Sequence, residues 1–436
     1  MPYVADTLCL PDLHMKDGME APSSFVTATR GVIVPHLVSE SINDGMGLIR
    51  TNVQTDDLAP GELDAILRLV NRAGARTKMT ASPYSWTPEL LEQACRQGAA
   101  PLLDHYGLDE RFLDAIEDRG RATPEPLSVE EFEATVPSSL RKTKITRGEI
   151  GLNFGGNHFL ELQSVDRIVD PAEAERLSVS QGELMIMYHL GPGPLGSILS
   201  NLHAYRSKPQ LHRKAGYAVG RQILHGKRGL EFHRTFARFN DWLEVDADTA
   251  QGDALASVLR VIKNYGFAYR TATMKAIVDA LETVLGVDPA DVDLVVDMSH
   301  NMLQPETIGD EEFWVSRHNC CRPRPGMPGI VAGNHQVPSC LSVGPAACDT
   351  RLSGYDHGVG FLIDEAARAG ELMSDPKGRD VKRLTMVRGE SDVHKVDTFP
   401  LLDAAVTEEA IGTLSAAGMT DPVAYLRPLA TLKHKV

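Results

Sequence analysis

The residue whose surroundings point most directly to chemistry is His357, in the segment SGYDHGVG at 353–360. Small neighbours leave its imidazole open to a bulky electrophile, so His357 could be a nucleophile, a metal ligand or an ordinary turn residue. Four other segments place His or Asn beside glycine or at the end of an expected strand. They are PDLH at 11–14, GGNHFLE at 155–161, YHLG at 188–191 and SHN at 299–301. Imidazoles in such places suit a metal site with a nucleophilic histidine beside it.

Three of these histidines, His158, His189 and His300, are the candidate metal ligands. Neutral imidazole binds Mn, Zn, Fe or Co, but the three lie far apart in the sequence, so only the fold can bring them together. The alternative is that each is a core or loop histidine with its hydrogen bonds satisfied locally. Asp44, in SINDGMG at 41–47, could add a carboxylate. Its alternative is an Asx turn before glycine.

A second candidate group would hold a ligand rather than a metal. Asn157 and Glu161 flank His158, and an amide can bind a phosphate oxygen or a base edge, while a carboxylate accepts a ring N–H. The alternative role of both residues is to cap the turn. From pattern alone, Lys433 is a solvated surface charge and His335 a turn residue without a predicted role.

Strands must position these side chains, and the apolar pattern of the sequence predicts such strands next to them. Buried-type strands are predicted over 183–188 and 293–298, so His189 and His300 follow at or near strand ends. Glycine-rich turns come after several of the strands. The interleaving of strands and helices predicts one mixed α/β (α+β) domain over 1–436, with a central β core, glycine-rich strand-end turns and peripheral helices.

Two helical regions are predicted around this β core. Residues 57–145 are mostly helical and are interpreted as an insertion or lid, with Thr87 as the cap of a helix whose first turn contains Pro88. A long helix is predicted over 253–285, with Gly266 as the point where it would break.

The bulk composition limits the class of protein. The chain has 436 residues, of which 42% are hydrophobic and 24% charged, which indicates a folded globular protein with a sizeable core. A formal net charge of -15 argues against non-specific nucleic-acid binding, although net charge alone does not exclude a local basic groove. The six cysteines form no CxxC pair, and neither a signal peptide nor a membrane-length apolar run is present. We therefore expect reduced thiols, a cytoplasmic location and no membrane partner.

Taken together and in this order, the segments resemble the RtcB family of RNA ligases over nearly the whole chain. The most specific match is GGNHFLE at 155–161, which fits the family's GGNHFxE. The weaker matches are PDLH (11–14) to PDVH, SINDG (41–45) to DIxCG, HLG (189–191) to the start of HSGSRGLG, NYGFAYR (264–270) to NYAxxNR, HN (300–301), SGYDHGVG (353–360) to SxxHGAGR, and RPL (427–429) with Lys433 to the closing RPL…K.

The resemblance implies a GTP- and metal-dependent ligase that joins an RNA 3′-phosphate, or a 2′,3′-cyclic phosphate end, to a 5′-hydroxyl. His357 would attack the α-phosphate of GTP and carry GMP as a phosphoramidate. GMP would then pass to the RNA 3′-phosphate, and the 5′-hydroxyl would displace it. Metal ions would neutralise phosphate charge and align the displacement.

The resemblance also implies which residues hold the cofactors. One or two Mn ions would be held by one carboxylate and three imidazoles: Asp44, His158, His189 and His300. The nucleotide would be held by three residues in addition to His357: Asn157, Glu161 and Lys433.

The chain departs from the family pattern at five positions. Asp44 stands where the family has its metal-bridging Cys, and Ser41 where it has the paired Asp. Gly193, His318 and Phe361 stand at or near three family Arg or Lys residues that would grip phosphates. These differences keep two alternatives open. One is a paralog that acts as a metal-dependent phosphohydrolase or as a ligase on another substrate, and the other is a non-catalytic protein that binds nucleotide or RNA.

Overall fold

The computed structural model describes residues 3–16, 19–74, 84–142, 153–203 and 243–435. Its strands are β1 (Val4–His14), β2 (Ser23–Thr29), β3 (Val32–Ile33), β4 (Gly45–Gln54), β5 (Phe159–Ile168), β6 (Glu183–Leu190), β7 (Val245–Asp246), β8 (Asp293–Ser299), β9 (Asn301–Ile308), β10 (Glu311–His318), β11 (Cys320–Cys321), β12 (Pro328–Val331), β13 (Ser339–Val343), β14 (Tyr355–Asp356), β15 (Asp380–Met386), β16 (Val393–Pro400) and β17 (Asp421–His434). Its α-helices are α1 (Glu62–Ala73), α2 (Pro88–Gln97), α3 (Ala100–Tyr106), α4 (Phe112–Ala115), α5 (Val129–Thr135), α6 (Ser138–Lys142), α7 (Pro171–Arg176), α8 (Gly193–His203), α9 (Ala250–Leu285), α10 (Gly360–Ala369) and α11 (Ala405–Ala416). Short 3-10 helices lie at Pro35–Leu37, Thr55–Asp57, Glu117–Gly120 and Pro289–Asp291.

A nine-stranded sheet forms the centre of the molecule. Seven strands follow the order β12-β13-β17-β5-β6-β4-β8, and β15 and β16 join it through β15, which runs along β17. The β15–β17 pair is parallel, and the other named pairs of this sheet are antiparallel. The end strands β12 and β8 contact each other, so the sheet is nearly closed. All eight residues of β6 are buried, which is typical of a strand covered on both faces.

Smaller sheets lie beside the central one. One has the order β1-β2-β10-β9, and two others are the short pairs β11–β14 and β3–β7. Strand β11 contacts both β2 and β8. It thereby holds β14, whose last residue precedes His357, against the end of the central sheet.

The long helix α9 runs without a break from Ala250 to Leu285, so the prediction that Gly266 interrupts it is wrong. The side chain of Thr249 caps its start, and Gly286, in the left-handed conformation, ends it. Gly266 is present for a different reason. A β-carbon at this position would overlap the amide nitrogen of Asn43 and lie 3.1 Å from its Cβ, so glycine lets the helix approach that turn.

The predicted fold class is confirmed: strands and helices are mixed, and the β core is central. The strands expected over 183–188 and 293–298 are β6 and β8. The helix expected at Pro88 begins there, and the Thr87 hydroxyl accepts a hydrogen bond from the Leu90 amide at 3.2 Å. Within the part of the chain that the structure describes, no helix combines the length and apolar character needed to cross a membrane.

Candidate active site

The candidate metal ligands converge on one edge of the central sheet because of its strand register. Asp44 immediately precedes β4, His189 is the penultimate residue of β6, and His300 immediately follows β8. Strand β4 lies between the other two, and Gly45 pairs with both of them at these ends. The first residue of β5 pairs with His189, which brings in His158, the residue before it. Four segments far apart in sequence therefore meet at one point.

The donor atoms of these four residues lie at the separations expected of metal ligands. His158 Nε2 is 3.2 Å from Asp44 Oδ1, and His189 Nε2 is 3.2 Å from His300 Nε2. The distance from His300 Nε2 to Asp44 Oδ2 is 3.9 Å. Ligand distances near 2.1 Å place two ligands of a tetrahedral ion about 3.4 Å apart. The buried Asp44 Oδ1 accepts no hydrogen bond within the described part of the chain. Two groups of three that share His189 each fit a metal ion: Asp44 with His158 and His189, and His189 with His300 and His357.

His357 lies directly against this cluster. Its ring stacks on that of His300, with centroids 4.3 Å apart and an interplanar angle of 16°. His357 Nδ1 lies 2.8 Å from the carbonyl oxygen of Asn319. A carbonyl only accepts, so Nδ1 carries the proton and Nε2 keeps its lone pair. One ring nitrogen of each of His189, His300 and His357 lies within 4.8 Å of the others, so His357 can be a ligand or a nucleophile beside the metal.

The buried imidazoles are held neutral. Burial, reinforced by the neighbouring histidines, keeps the pKa of His189 and of His300 well below the usual value. Burial also lowers the pKa of His357 to about 3, and the nearby charge of Lys16 adds to this effect. A neutral imidazole offers the lone pair that both metal binding and nucleophilic attack require. His357 therefore needs no base to remove a proton from Nε2 before it reacts.

The turn that carries Asp44 is fixed by buried polar contacts. Asn43 has a φ of 63°, and its side-chain amide donates to the Lys263 carbonyl of α9 at 2.6 Å. The carbonyl of Asn43 accepts from Arg270 Nη1 at 2.7 Å. Arg270 is fully buried and forms an ion pair with Asp297 at 2.8 Å. Asp44 is thus held in place by contacts of its turn with α9 as well as by the sheet, so an Asx turn alone does not describe its setting.

A pocket opens beside the cluster and contains the second candidate group. It encloses about 570 Å³, including its open mouth. It is lined by ten residues: Asn157, Phe159, Glu161, Gly333, Asn334, His335, Ser339, Arg383, Thr431 and Lys433. Asn157, Glu161 and Lys433, which the sequence singles out, thus share one cavity.

Glu161 and Lys433 are both held in place within this pocket. Glu161 accepts from Gln163 at 2.7 Å and from Thr431 at 2.8 Å, and burial raises its pKa to about 7. Lys433 Nζ donates to the carbonyls of Gly156 at 2.8 Å and His158 at 2.6 Å. Burial lowers the pKa of Lys433 to about 8. Lys433 is therefore not a solvated surface charge; it fastens the 155–158 turn.

Strand register connects the pocket to the cluster. Phe159 of β5 pairs with His189 of β6, and Lys433 of β17 lies next to β5, with its Nζ 5.9 Å from the Phe159 ring centroid. The Phe159 ring meets the His189 ring edge to face at 5.5 Å. Neighbouring residues on adjacent strands share a face of the sheet. A molecule in the pocket can therefore extend along one face toward the metal ligands.

Three of the positions that depart from the family pattern, Gly193, His318 and Phe361, are buried or half-buried. Phe361, at the start of α10, stacks on His14 with centroids 4.6 Å apart and an interplanar angle of 5°. The carboxylate of Asp12 accepts from the Leu362 amide at 2.9 Å. His318 is buried at the end of β10, and Gly193 begins α8 with a φ of 73°.

Four contributors to the site were missed by sequence reasoning. They are the Asn319 carbonyl, Lys16, His335 and Arg383. A backbone carbonyl leaves no signal in residue type. His335 and Arg383 reach the pocket only because β13 and β15 both lie along β17, and that pairing spans long stretches of chain.

Similarity to known proteins extends over the same residues. The sequence profile described as "tRNA-splicing ligase RtcB" matches residues 1–434. The "RNA-splicing ligase RtcB homolog 1" of Entamoeba dispar is 26% identical over 99% of this chain and 80% of its own length. The "RNA-splicing ligase RtcB" of Mycobacterium tuberculosis is 27% identical over 99% of this chain and 97% of its own.

A third similar protein, the "tRNA-splicing ligase RtcB" of Methanopyrus kandleri, is 24% identical over 90% of this chain but over only 41% of its own length. The chain thus spans less than half of that relative. The profile match, by contrast, includes every candidate metal ligand and pocket residue. This chain belongs to the RtcB family.

Proposed function

We propose that the chain is a GTP- and Mn-dependent RNA ligase that joins an RNA 3′-phosphate to a 5′-hydroxyl through GMP carried on His357. The observation that supports this most is the placement of His357. Its Nδ1–H donates a hydrogen bond to the Asn319 carbonyl at 2.8 Å, and its ring stacks on the metal-ligand candidate His300. The neutral Nε2 is thus available to attack a phosphorus atom held at the cluster.

The reaction divides into three displacements. In the first, His357 Nε2 forms a bond to the α-phosphorus of GTP, the bond from that phosphorus to the bridging oxygen breaks, and pyrophosphate leaves. In the second, an oxygen of the RNA 3′-phosphate takes GMP, and His357 is restored. In the third, the RNA 5′-hydroxyl oxygen attacks the phosphorus of the activated 3′-phosphate and loses its proton to solvent, the bond from that phosphorus to GMP breaks, and GMP leaves. In RNA ends with a 2′,3′-cyclic phosphate, water would first open the ring to give the 3′-phosphate.

Asp44, His158, His189 and His300 would hold the metal. When bound, Mn would neutralise phosphate charge during each displacement. Asp44 brings a carboxylate in place of a thiolate, which favours a hard ion. The hydrogen bond to Asn319 orients His357 and stabilises the positive charge that its ring gains when Nε2 forms a bond.

In this proposal the pocket binds the base and ribose of GTP. Glu161 accepts N–H donors of guanine, and Asn157 contacts the sugar or a phosphate oxygen. Lys433 keeps the 155–158 turn in place and adds positive charge. The described cysteines are all free thiols, which supports a cytoplasmic location.

Intact-mass spectrometry after incubation with GTP and Mn tests the first displacement. We expect the native chain to gain the mass of one GMP and His357→Ala to gain none. His394→Ala is the matched control, because His394 is an exposed histidine of β16 that belongs neither to the pocket lining nor to the metal-ligand groups. A native chain that binds Mn but forms no adduct would contradict the proposal.

A second candidate function is a metal-dependent phosphohydrolase, or a ligase acting on another substrate. The observation that favours it is the His14–Phe361 stack, which stands where the family pattern has a phosphate-gripping arginine. Hydrolysis of a phosphate ester that requires Asp44 but not His357 would support this candidate. Binding of metal and GTP without turnover of either kind would instead indicate a binding protein.

A further inference from the structure

The floor of the pocket contains a row of three side chains from neighbouring strands. Arg383 of β15 pairs in register with Thr431 of β17, and Thr431 pairs in register with Glu161 of β5. Residues in register on adjacent strands project from the same face of the sheet. All three line the pocket. The row spans two strand spacings, or about 10 Å, which is roughly the length of a purine base together with one hydrogen bond at each of its edges.

The two ends of this row have opposite hydrogen-bonding character. At one end, Gln163 and Thr431 hold the Glu161 carboxylate, and each of its oxygens can accept a further bond. At the other end, Arg383 presents a guanidinium that can only donate. The pocket therefore suits a base with donors on one edge and acceptors on the other. Guanine fits, because N1–H and N2–H donate while O6 and N7 accept.

The Arg383 guanidinium is oriented by its own neighbours. It lies over the ring of Phe399, with its central carbon 4.8 Å from the ring centroid. Asp397 Oδ2 is 3.4 Å from its Nη2. His335, also in the pocket, meets the same Phe399 ring edge to face at 4.7 Å. A planar guanidinium held in this way can give two parallel hydrogen bonds, which a lysine ammonium cannot.

Lys433 is less suited to read the base, although it is the other cation of the pocket. Two carbonyl oxygens, those of Gly156 and His158, already accept from its Nζ. These bonds direct its Nζ toward the turn that carries His158, a candidate metal ligand. Arg383, at the far end of the row from Glu161, is the donor placed opposite the acceptor.

We propose that Arg383 is a specificity-determining residue that donates to the O6 and N7 edge of guanine, while Glu161 accepts from the opposite edge. This inference rests on the proposed function, because it takes GTP to be the nucleotide in the pocket. It assigns base selection to β15 as well as to the GGNHFLE segment.

Binding of GTP and of 7-deaza-GTP, measured by calorimetry with Mn, tests this directly. All proteins compared carry His357→Ala, because a GMP adduct would otherwise consume the nucleotide, and the native chain in this comparison is the one with Arg383 intact. The analogue lacks only the N7 acceptor. We expect its affinity to be at least about fivefold lower than that of GTP. We expect Arg383→Gln to lose this preference and Arg383→Lys to keep only a small part of it. Circular dichroism checks that each variant is folded.

Lys395→Gln is the matched control. Lys395 contacts the same carboxylate as Arg383, with its Nζ 2.7 Å from Asp397 Oδ1, but it does not line the pocket. The control should keep the native preference. Equal affinity of the native chain for the two nucleotides, or an unchanged preference in Arg383→Gln, would overturn the inference while GTP binding stands. A native chain that binds neither nucleotide would overturn both this inference and the proposed function.

Discussion

At the scale of single residues, Glu161 illustrates a conflict between binding and stability. It is fully buried at the bottom of the pocket, and burial raises its pKa to about 7 from an ordinary 4.5. The carboxylate that would accept from guanine is therefore the form that the empty fold disfavours. A bound base that donates hydrogen bonds to Glu161 would stabilise the carboxylate form.

The expected consequence is a stability that falls with pH. A group whose pKa is raised by folding contributes fully below its ordinary pKa, and that contribution is lost as pH rises through the raised value. Without nucleotide, we expect Glu161 to lower the free energy of unfolding by up to about 3 kcal/mol between about pH 5 and pH 8. Glu161→Gln should remove this decrease. Urea unfolding at several pH values measures it, with the exposed Glu312→Gln as control.

If the native chain and Glu161→Gln showed the same pH dependence of unfolding, Glu161 would not be the group responsible. A loss of GTP affinity in Glu161→Gln, measured at a pH where both proteins are folded, would separately connect the residue to the pocket.

At the scale of elements, α9 is a structural support for the metal ligands as well as a core helix. Gly266 lets it approach Asn43, and Arg270 donates to the carbonyl of that same residue. Asp44 follows directly in the chain. The position of a ligand at the end of a strand therefore depends on the packing of a helix.

Gly266→Ala tests this dependence. Alanine ordinarily stabilises a helix relative to glycine by about 1 kcal/mol. Here the new β-carbon would overlap the Asn43 amide, so we expect a loss of about 1–3 kcal/mol and weaker metal binding. Gly412→Ala in α11 is the matched control, since nothing lies within 4 Å of its β-carbon position. Thermal unfolding and Mn titration measure both effects, and a stabilised Gly266→Ala would contradict the packing argument.

The parts of the site that sequence predicts are those carried by local pattern. His189 and His300 could be placed because an apolar strand precedes each of them, and a strand can be recognised within a few residues. Arg383 and His335 could not be placed, because their position depends on β15 and β13 lying along β17. The prediction that Gly266 interrupts α9 was wrong for a related reason. The helix-breaking tendency of glycine is a local property, whereas the contact of Gly266 with Asn43 joins distant segments.

At the scale of the whole molecule, the metal ligands join segments that are otherwise distant. Asp44, His158, His189 and His300 adjoin four consecutive strands of the central sheet, β4, β5, β6 and β8. An ion bound by ligands from several of these segments stabilises only the folded chain, and at a hundredfold excess over its dissociation constant it would contribute about 2.7 kcal/mol.

Removal of metal should therefore lower the unfolding temperature of the native chain by several degrees. We expect Asp44→Asn to bind Mn weakly and to unfold at the same temperature with and without a chelator. Asp310→Asn, in the turn between β9 and β10, should behave like the native chain. Elemental analysis of the purified proteins gives the metal content independently. Full Mn binding by Asp44→Asn would show that the ion lies elsewhere.

The central position of β17 has a consequence for the order of events during synthesis. This strand, Asp421–His434, separates β13 from β5 and also carries β15. A ribosome translates β5 and β6 long before it reaches β17, so β5 emerges with one side unpaired. The cluster at β4, β6 and β8 can assemble from earlier segments, whereas the pocket must wait for residues 421–434. A nascent chain could thus acquire its metal before it is able to hold a nucleotide.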